Sequence, residues 1–360
     1  MKSKKIIAQL AGVMCLVGGS TLQAGPLQEQ GMRPPPPQPP TTDAREITPE
    51  AGPHTVWAVD PFFTADFIYW TSRQEGLSYA ITGADVRLLA IDTSPGSIHQ
   101  PDWEFSPGFK VGAGLQMQHD GWDVYANYTW LHSDANDSVS DENGILPTLT
   151  NALYILLNAS VGIISGRPDK ATTSWSHHFN VIDLELGRNY YISSALTLRP
   201  HVGLKGTWQD QDLHTVYYIT DGTTFATHGH QDSWGVGVRA GLDTCWYFIP
   251  SFGLYGDFAL TGLWSGFNST RKDREKLPNL EVTEYLNTTD INHSVKPVIE
   301  FGIGLRYEYY YNQDDFRFLI QAGWEEQIWL GNNQFIDVAE YGDRGNLSLQ
   351  GLTLEVRLDF

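Results

Sequence analysis

Past residue 15 the chain contains a single cysteine, Cys245. No intrachain disulfide can then hold the remaining chain, which excludes the small disulfide-stapled scaffold. Long apolar runs are also missing: after the N-terminal segment no window holds roughly eighteen consecutive apolar residues, the minimum for a membrane-crossing helix. Basic charge is scarce, with 23 Lys and Arg against 42 Asp and Glu and a formal net charge of -19. That balance excludes a nucleic-acid partner, because the phosphate backbone requires a basic surface.

What is present begins with an export signal. Lys2, Lys4 and Lys5 precede an apolar stretch over residues 6–17, and Leu22-Gln23-Ala24 ends in a small residue suited to cleavage. Cleavage is expected after Ala24, so that residues 1–24 are a signal peptide; loss of its three lysines leaves 20 basic and 42 acidic residues, a net charge of -22. Cys15 lies inside the apolar core behind Met14, a poor setting for lipid attachment. Residues 25–57, with Pro34-Pro35-Pro36-Pro37, read as an extended, disordered polyproline leader in the periplasm. Residues 58–360 are long enough for one large barrel or two soluble domains.

This last part alternates. Leu352, Leu354, Val356, Leu358 and Phe360 share one side of a strand, with Thr353, Glu355, Arg357 and Asp359 on the other. A half-buried strand of a soluble sandwich has the same period, but the pattern recurs: Phe109, Val111, Ala113 and Leu115 oppose Lys110 and Gln116, and after His119-Asp120-Gly121 come Trp122, Val124, Ala126 and Tyr128 opposite Asp123 and Asn127. Similar segments follow around 196–208, 234–248, 252–261, 299–309 and 316–325, with weaker ones around 63–70 and 175–186. The sum is an all-β transmembrane antiparallel β-barrel of about 10 strands, with a range of 10 to 14 if hairpins hide in loops. Joins near 119–121, 188–194, 249–251 and 311–314 are short, and those near 72–102, 133–173, 210–231, 266–293 and 331–345 are expected to be long loops. In bacterial outer-membrane barrels the short turns are periplasmic and the long loops external, so both termini are expected in the periplasm. Most tryptophans, Trp70, Trp103, Trp122, Trp130, Trp175, Trp208, Trp234, Trp246, Trp264, Trp324 and Trp329, fall near strand ends and read as interfacial girdles.

Several blocks resemble a known family. Ala65-Asp66-Phe67-Ile68-Tyr69-Trp70, Pro107-Gly108-Phe109-Lys110-Val111-Gly112, Asp183-Leu184-Glu185-Leu186-Gly187-Arg188, Leu198-Arg199-Pro200-His201-Val202-Gly203 and Ala322-Gly323-Trp324-Glu325-Glu326-Gln327 are similar to the major-outer-membrane-protein-like pore-forming proteins of Legionella and environmental chlamydiae. The matched blocks lie between 61 and 360. The resemblance implies a porin-like channel of the outer membrane with no catalytic residues.

If the apolar register faces lipid, the pore-lining set is Lys110, Arg199, Lys205, Arg239, Arg306, Arg317 and Arg357 with Asp257, Glu300 and Glu355, joined by Asp183, Glu185, Glu308 and Glu325. Most of these charges should be paired across strands, and opposite charges along a wet lumen would admit small polar solutes or ions by passive diffusion. The alternative is a non-conducting structural barrel or a surface adhesin acting through its external loops. Expected partners are outer-membrane lipid and lipopolysaccharide, the barrel-assembly machinery that reads a terminal aromatic such as Phe360, and small solutes, with a homo-oligomer left open. No cofactor and no metal are expected: His177 and His178 are strand neighbours that point to opposite faces. Glu325 and Glu326 diverge likewise, and a barrel hydrolase lacks a nucleophile motif. Asn268-Ser269-Thr270, Asn287-Thr288-Thr289 and Asn292-His293-Ser294 match glycosylation acceptors by chance in a bacterial context. The apolar segment 149–164 has three readings: an inward constriction, an extra hairpin or a subunit contact.

Overall fold

The computed structural model describes residues 59–83, 86–87, 90–91, 96–117, 121–150, 167–193, 195–311, 316–337 and 345–360. The signal peptide, the proline-rich leader and nearly all of segment 149–164 lie outside them. Ten long strands carry the fold: β1 Val59–Gln74, β2 Phe105–Met117, β3 Trp122–Ser140, β4 Pro168–Arg188, β5 Leu196–Ile219, β6 Thr224–Ile249, β7 Phe252–Lys276, β8 Thr283–Tyr311, β9 Phe316–Trp329 and β10 Leu347–Asp359. Each pairs antiparallel with its neighbours in sequence, and β10 pairs with β1 from Phe62↔Asp359 to Gln74↔Leu347. The sheet is thus a closed ten-stranded barrel, and closure leaves no edge for hydrocarbon to meet.

Alternation fixes which face is which. Phe63, Phe67, Val111, Leu204, Val238, Leu260, Phe301, Leu305 and Leu354 point outward and exposed, an apolar wall of the kind that lipid covers. Its rim at the long-hairpin end carries Tyr69, Phe105, Trp130, Trp208, Trp234, Trp264 and Trp324, and its rim at the tight-turn end Trp246, Phe248, Tyr309, Tyr311 and Phe360. Amphipathic rings at both rims match the two lipid–water interfaces. At the tight-turn end the strands are connected through residues 118–121, 189–195, 250–251 and 312–315, and Gly121, which precedes β3, has a positive φ of 65°.

Two features differ from the sequence reading. The joins near 210–231 and 266–293 are largely ladder: β5 and β6 stay paired out to Tyr218↔Thr224, and β7 and β8 out to Glu275↔Thr283. These strands rise well past the aromatic rim. In addition, Trp70, Trp175 and Trp329 point inward and are fully buried, with Trp103 packed against them. They share parity with the inward residues of their strands, so they belong to the lumen and not to a girdle.

Candidate functional site: the lumen

The lumen has three levels. The lowest, toward the tight turns, is a charged chamber enclosing a cavity of ≈ 230 Å³. Every residue expected to line a pore has its side chain on this inner face, and all of them except Lys205 and Glu308 border the cavity itself. Lys205 is 1 % exposed behind it and bonds Asp183 at 2.8 Å and Glu300 at 3.1 Å. Glu308 accepts from the Tyr247 hydroxyl at 2.6 Å. Arg199 donates through Nη2 to Asp123 at 2.6 Å and through Nη1 to Glu185 at 3.1 Å and Asp243 at 2.6 Å. Arg239 donates to Glu185 and, at 3.0 Å, to Glu300. Arg317 and Arg357 share Asp359, Arg306 donates to Gln321 at 3.0 Å, and Lys110 bonds Glu325 while lying 4.8 Å from the Trp70 ring.

Every base of the chamber is therefore partnered, as burial of a charge demands. The acids are not all matched. Among the described residues, Glu355 accepts only from the neutral amide of Gln321. Asp66 is 8 % exposed, and its Oδ1 accepts no hydrogen bond from any of them. Asp257 and Glu325 flank Gly302 across the sheet, and a Cβ there would come within 3.3 Å of Asp257 Oδ2, so the glycine keeps space open between two carboxylates. Asp123 and Asp243, essential partners of Arg199, are missing from the pore-lining set read from the sequence; both sit at inward parity in their strands, which is the signal that could have found them.

Above the chamber aromatic and aliphatic side chains dominate the lumen, with His177, Gln209 and Gln211 buried among them. Phe179 of β4 and Trp329 of β9 meet edge to face at 5.4 Å and 88°. These strands are five apart in a ring of ten, so the contact bridges the barrel across its diameter. Trp70, Trp175, Leu131, Leu263, Val298 and Leu349 fill the space around the bar. It lies at the height of the upper aromatic rim, since Trp70 follows Tyr69 and Phe179 precedes Asn180, the register partner of Trp208.

The third level is a strap. Residues 330–336, expected to be part of a plain external loop, leave β9 and cross part of the mouth to β6 and β7, three and two strands away in the ring. Gln231 of β6 donates to Asn332 O at 3.1 Å and accepts from Gln334 N at 2.7 Å. Arg271 of β7 donates through Nη1 to Ile336 O at 2.9 Å and through Nη2 to Leu149 O at 2.6 Å, with Asp273 holding its other edge. Leu149 also packs on the core, so the described start of segment 149–164 turns inward. Tyr79, at the mouth, has its phenol pushed up by burial and by its hydrogen bond to Asp137.

His177 is buried against Gln209, while His178 faces out and stacks on His132, so the pair diverges as expected. Outside the wall and four residues short of Trp234 along β6, His230 comes together with Asp210 and Asp232, donor atoms of the three lying within 4.8 Å of one another. His230 is already engaged there, with Nδ1 3.0 Å from Asp212 and Nε2 3.2 Å from Asp232. Burial pulls its pKa down, but the Asp212 hydrogen bond and the surrounding carboxylates outweigh that and leave it above the ordinary value.

The model of one family, described as the Legionella pneumophila major outer membrane protein precursor, matches residues 54–360. No curated protein matches the chain. Among solved structures, a major outer membrane protein from Thermus thermophilus is similar at 10% identity over 84% of this chain and 100% of its own, with a TM-score of 0.30. The CymD monoaromatic hydrocarbon channel is similar at 7% over 83% and 88% with a TM-score of 0.30, and the Pseudomonas putida toluene transporter TodX at 10% over 83% and 89% with 0.25. At such scores none of them carries over anything about this lumen or its cargo.

Proposed function

The chain belongs to the family of the Legionella pneumophila major outer membrane protein precursor, a non-enzymatic outer-membrane barrel protein, and from that premise we propose that it is a channel for passive diffusion of small hydrophilic solutes. In this reading the tight turns and both chain termini face the periplasm, and the long hairpins face outward. The observation that supports it is the charged chamber. A buried carboxylate oxygen that accepts no hydrogen bond among the described residues, Asp66 Oδ1, is costly in a dry core and is relieved by water, and the gap kept by Gly302 gives water room. Ten strands also enclose more than the eight whose interior side chains alone can fill.

A second reading, a non-conducting structural barrel or adhesin, is favoured by the Phe179–Trp329 contact across the lumen. Single-channel recording of the purified, detergent-folded protein in planar bilayers separates the two. Discrete conductance steps are expected, and the reversal potential in a salt gradient then reports the ion preference of the chamber. Silence from protein whose unheated gel migration proves it folded would favour the structural reading.

A further inference from the structure

The aromatic bar and the strap are one continuous piece of chain. Trp329 ends β9, and residues 330–336 follow it directly across the mouth. Between them sits Gly331 with φ +64°, a conformation that side-chain-bearing residues avoid and a natural place for the backbone to swivel. The strap itself, Leu330-Gly331-Asn332-Asn333-Gln334-Phe335-Ile336, has no charged side chain. Its attachments are hydrogen bonds with neutral groups, the side chains of Gln231, Gln209, Asn292 and Asn346 and the backbone oxygens of Gly345 and Glu75, together with one charged donor, Arg271, and the Phe335 ring laid on Gly229, where a Cβ would come within 3.1 Å of it. Attachments of this kind, at the water end of a rigid barrel, open locally at far lower cost than the sheet unfolds.

We propose that residues 329–336 form a hinged gate: when the strap leaves Gln231 and Arg271 it swings about Gly331, lifts Phe335 from the cluster that holds the Trp329 ring, and lets that ring turn off Phe179 to open the lumen at the bar. The proposal rests on the channel reading, and it assigns the closed state to this structure. Phe179 is the fixed jamb, because it lies inside β4 with ladder partners on both sides, Leu131 and Gln209. Trp329 is also paired on both sides, by Val298 and Leu347, but it is the last rung of β9 and runs straight into the strap, so its ring is the leaf.

The test locks and unlocks the strap in full-length protein folded in detergent. A Gly229→Cys, Phe335→Cys pair on a Cys245→Ser background places two thiols where ring and glycine now touch, and mass spectrometry reports the cross-link. Two further variants release the strap: Gln231→Leu removes both its bonds, and Arg271→Lys keeps a cation beside Asp273 but loses the fork to the two carbonyls. Heat-modifiable gel migration certifies each as folded. Oxidised, cross-linked protein is expected to be silent and to recover openings on reduction. The release variants are expected to raise open probability about tenfold at unchanged step size, equivalent to about 1.4 kcal/mol. Cross-linked protein that conducts like the reduced form would overturn the gate and leave the channel intact, as would release variants with unaltered open probability. If wild type, reduced and release proteins are all silent, the channel reading falls and the gate with it.

Discussion

Val356 tests the whole assignment of faces. It lies on β10 midway between Leu352, beside the upper rim residues Tyr69 and Trp324, and Phe360 at the lower rim. Its register partners Ala65 and Ile320 also face outward. Val356→Arg therefore puts a guanidinium near the bilayer midplane, where such a charge destabilises a barrel by about 2–4 kcal/mol. The neighbouring residue is the control. Glu355 points into the chamber, touches Gln321, and lies among Asp66 and Glu325. Glu355→Gln keeps the volume and one hydrogen-bond partner and removes a charge from a surplus of acid, so it should change stability by less than about 1 kcal/mol. Equilibrium urea unfolding in lipid vesicles, followed by tryptophan fluorescence, measures both. Equal losses from the two substitutions would refute the register, because a one-residue slip exchanges the faces of every residue in the strand.

Three further outcomes follow from the lumen and the outer wall. Lys205→Met should cost about 3–5 kcal/mol in the same unfolding assay, because it strands Asp183 and Glu300 without their shared cation. Phe179→Ala should cost about 3–5 kcal/mol for the lost ring and its cavity, and it should enlarge the conductance step because it removes half of the bar. His230 should titrate above a free histidine when followed by NMR, and Asp212→Asn should bring it down; since its folded pKa is raised, the associated stabilisation is present at acid pH and fades as pH rises through that value.

The barrel is legible because lipid on one side and charge on the other write a strong period of two. Ten strands, the tight turns and the inward set from Lys110 to Arg357 all follow from that contrast. It fades where both sides meet water. Beyond Trp208, inward Gln209, Gln211 and Thr215 alternate with outward Asp210, Asp212 and His214, polar against polar, and the ladder there looks like loop. For the inward tryptophans, position along the strand misleads, although parity places Trp70 with Asp66 and Ile68. The strap has no period at all. Its place depends on single amides that meet across the mouth from strands far apart in the chain, such as Gln231 and Gln334, and nothing local announces such a meeting.

The uneven strand lengths give the mouth a crest and a low rim. β5, β6, β7 and β8 run on to Ile219, Thr224, Lys276 and Thr283, whereas β1 stops at Gln74 and β9 at Trp329, five residues past Tyr69 and Trp324. About six further residues of tilted strand raise the crest about 15 Å above the low rim. A body as wide as the barrel, such as an antibody or a virus particle, meets the crest first and is held off by it. With the long hairpins facing outward, as proposed, the crest sorts approaching bodies by girth, and the amides of the strap below it lie within reach of water.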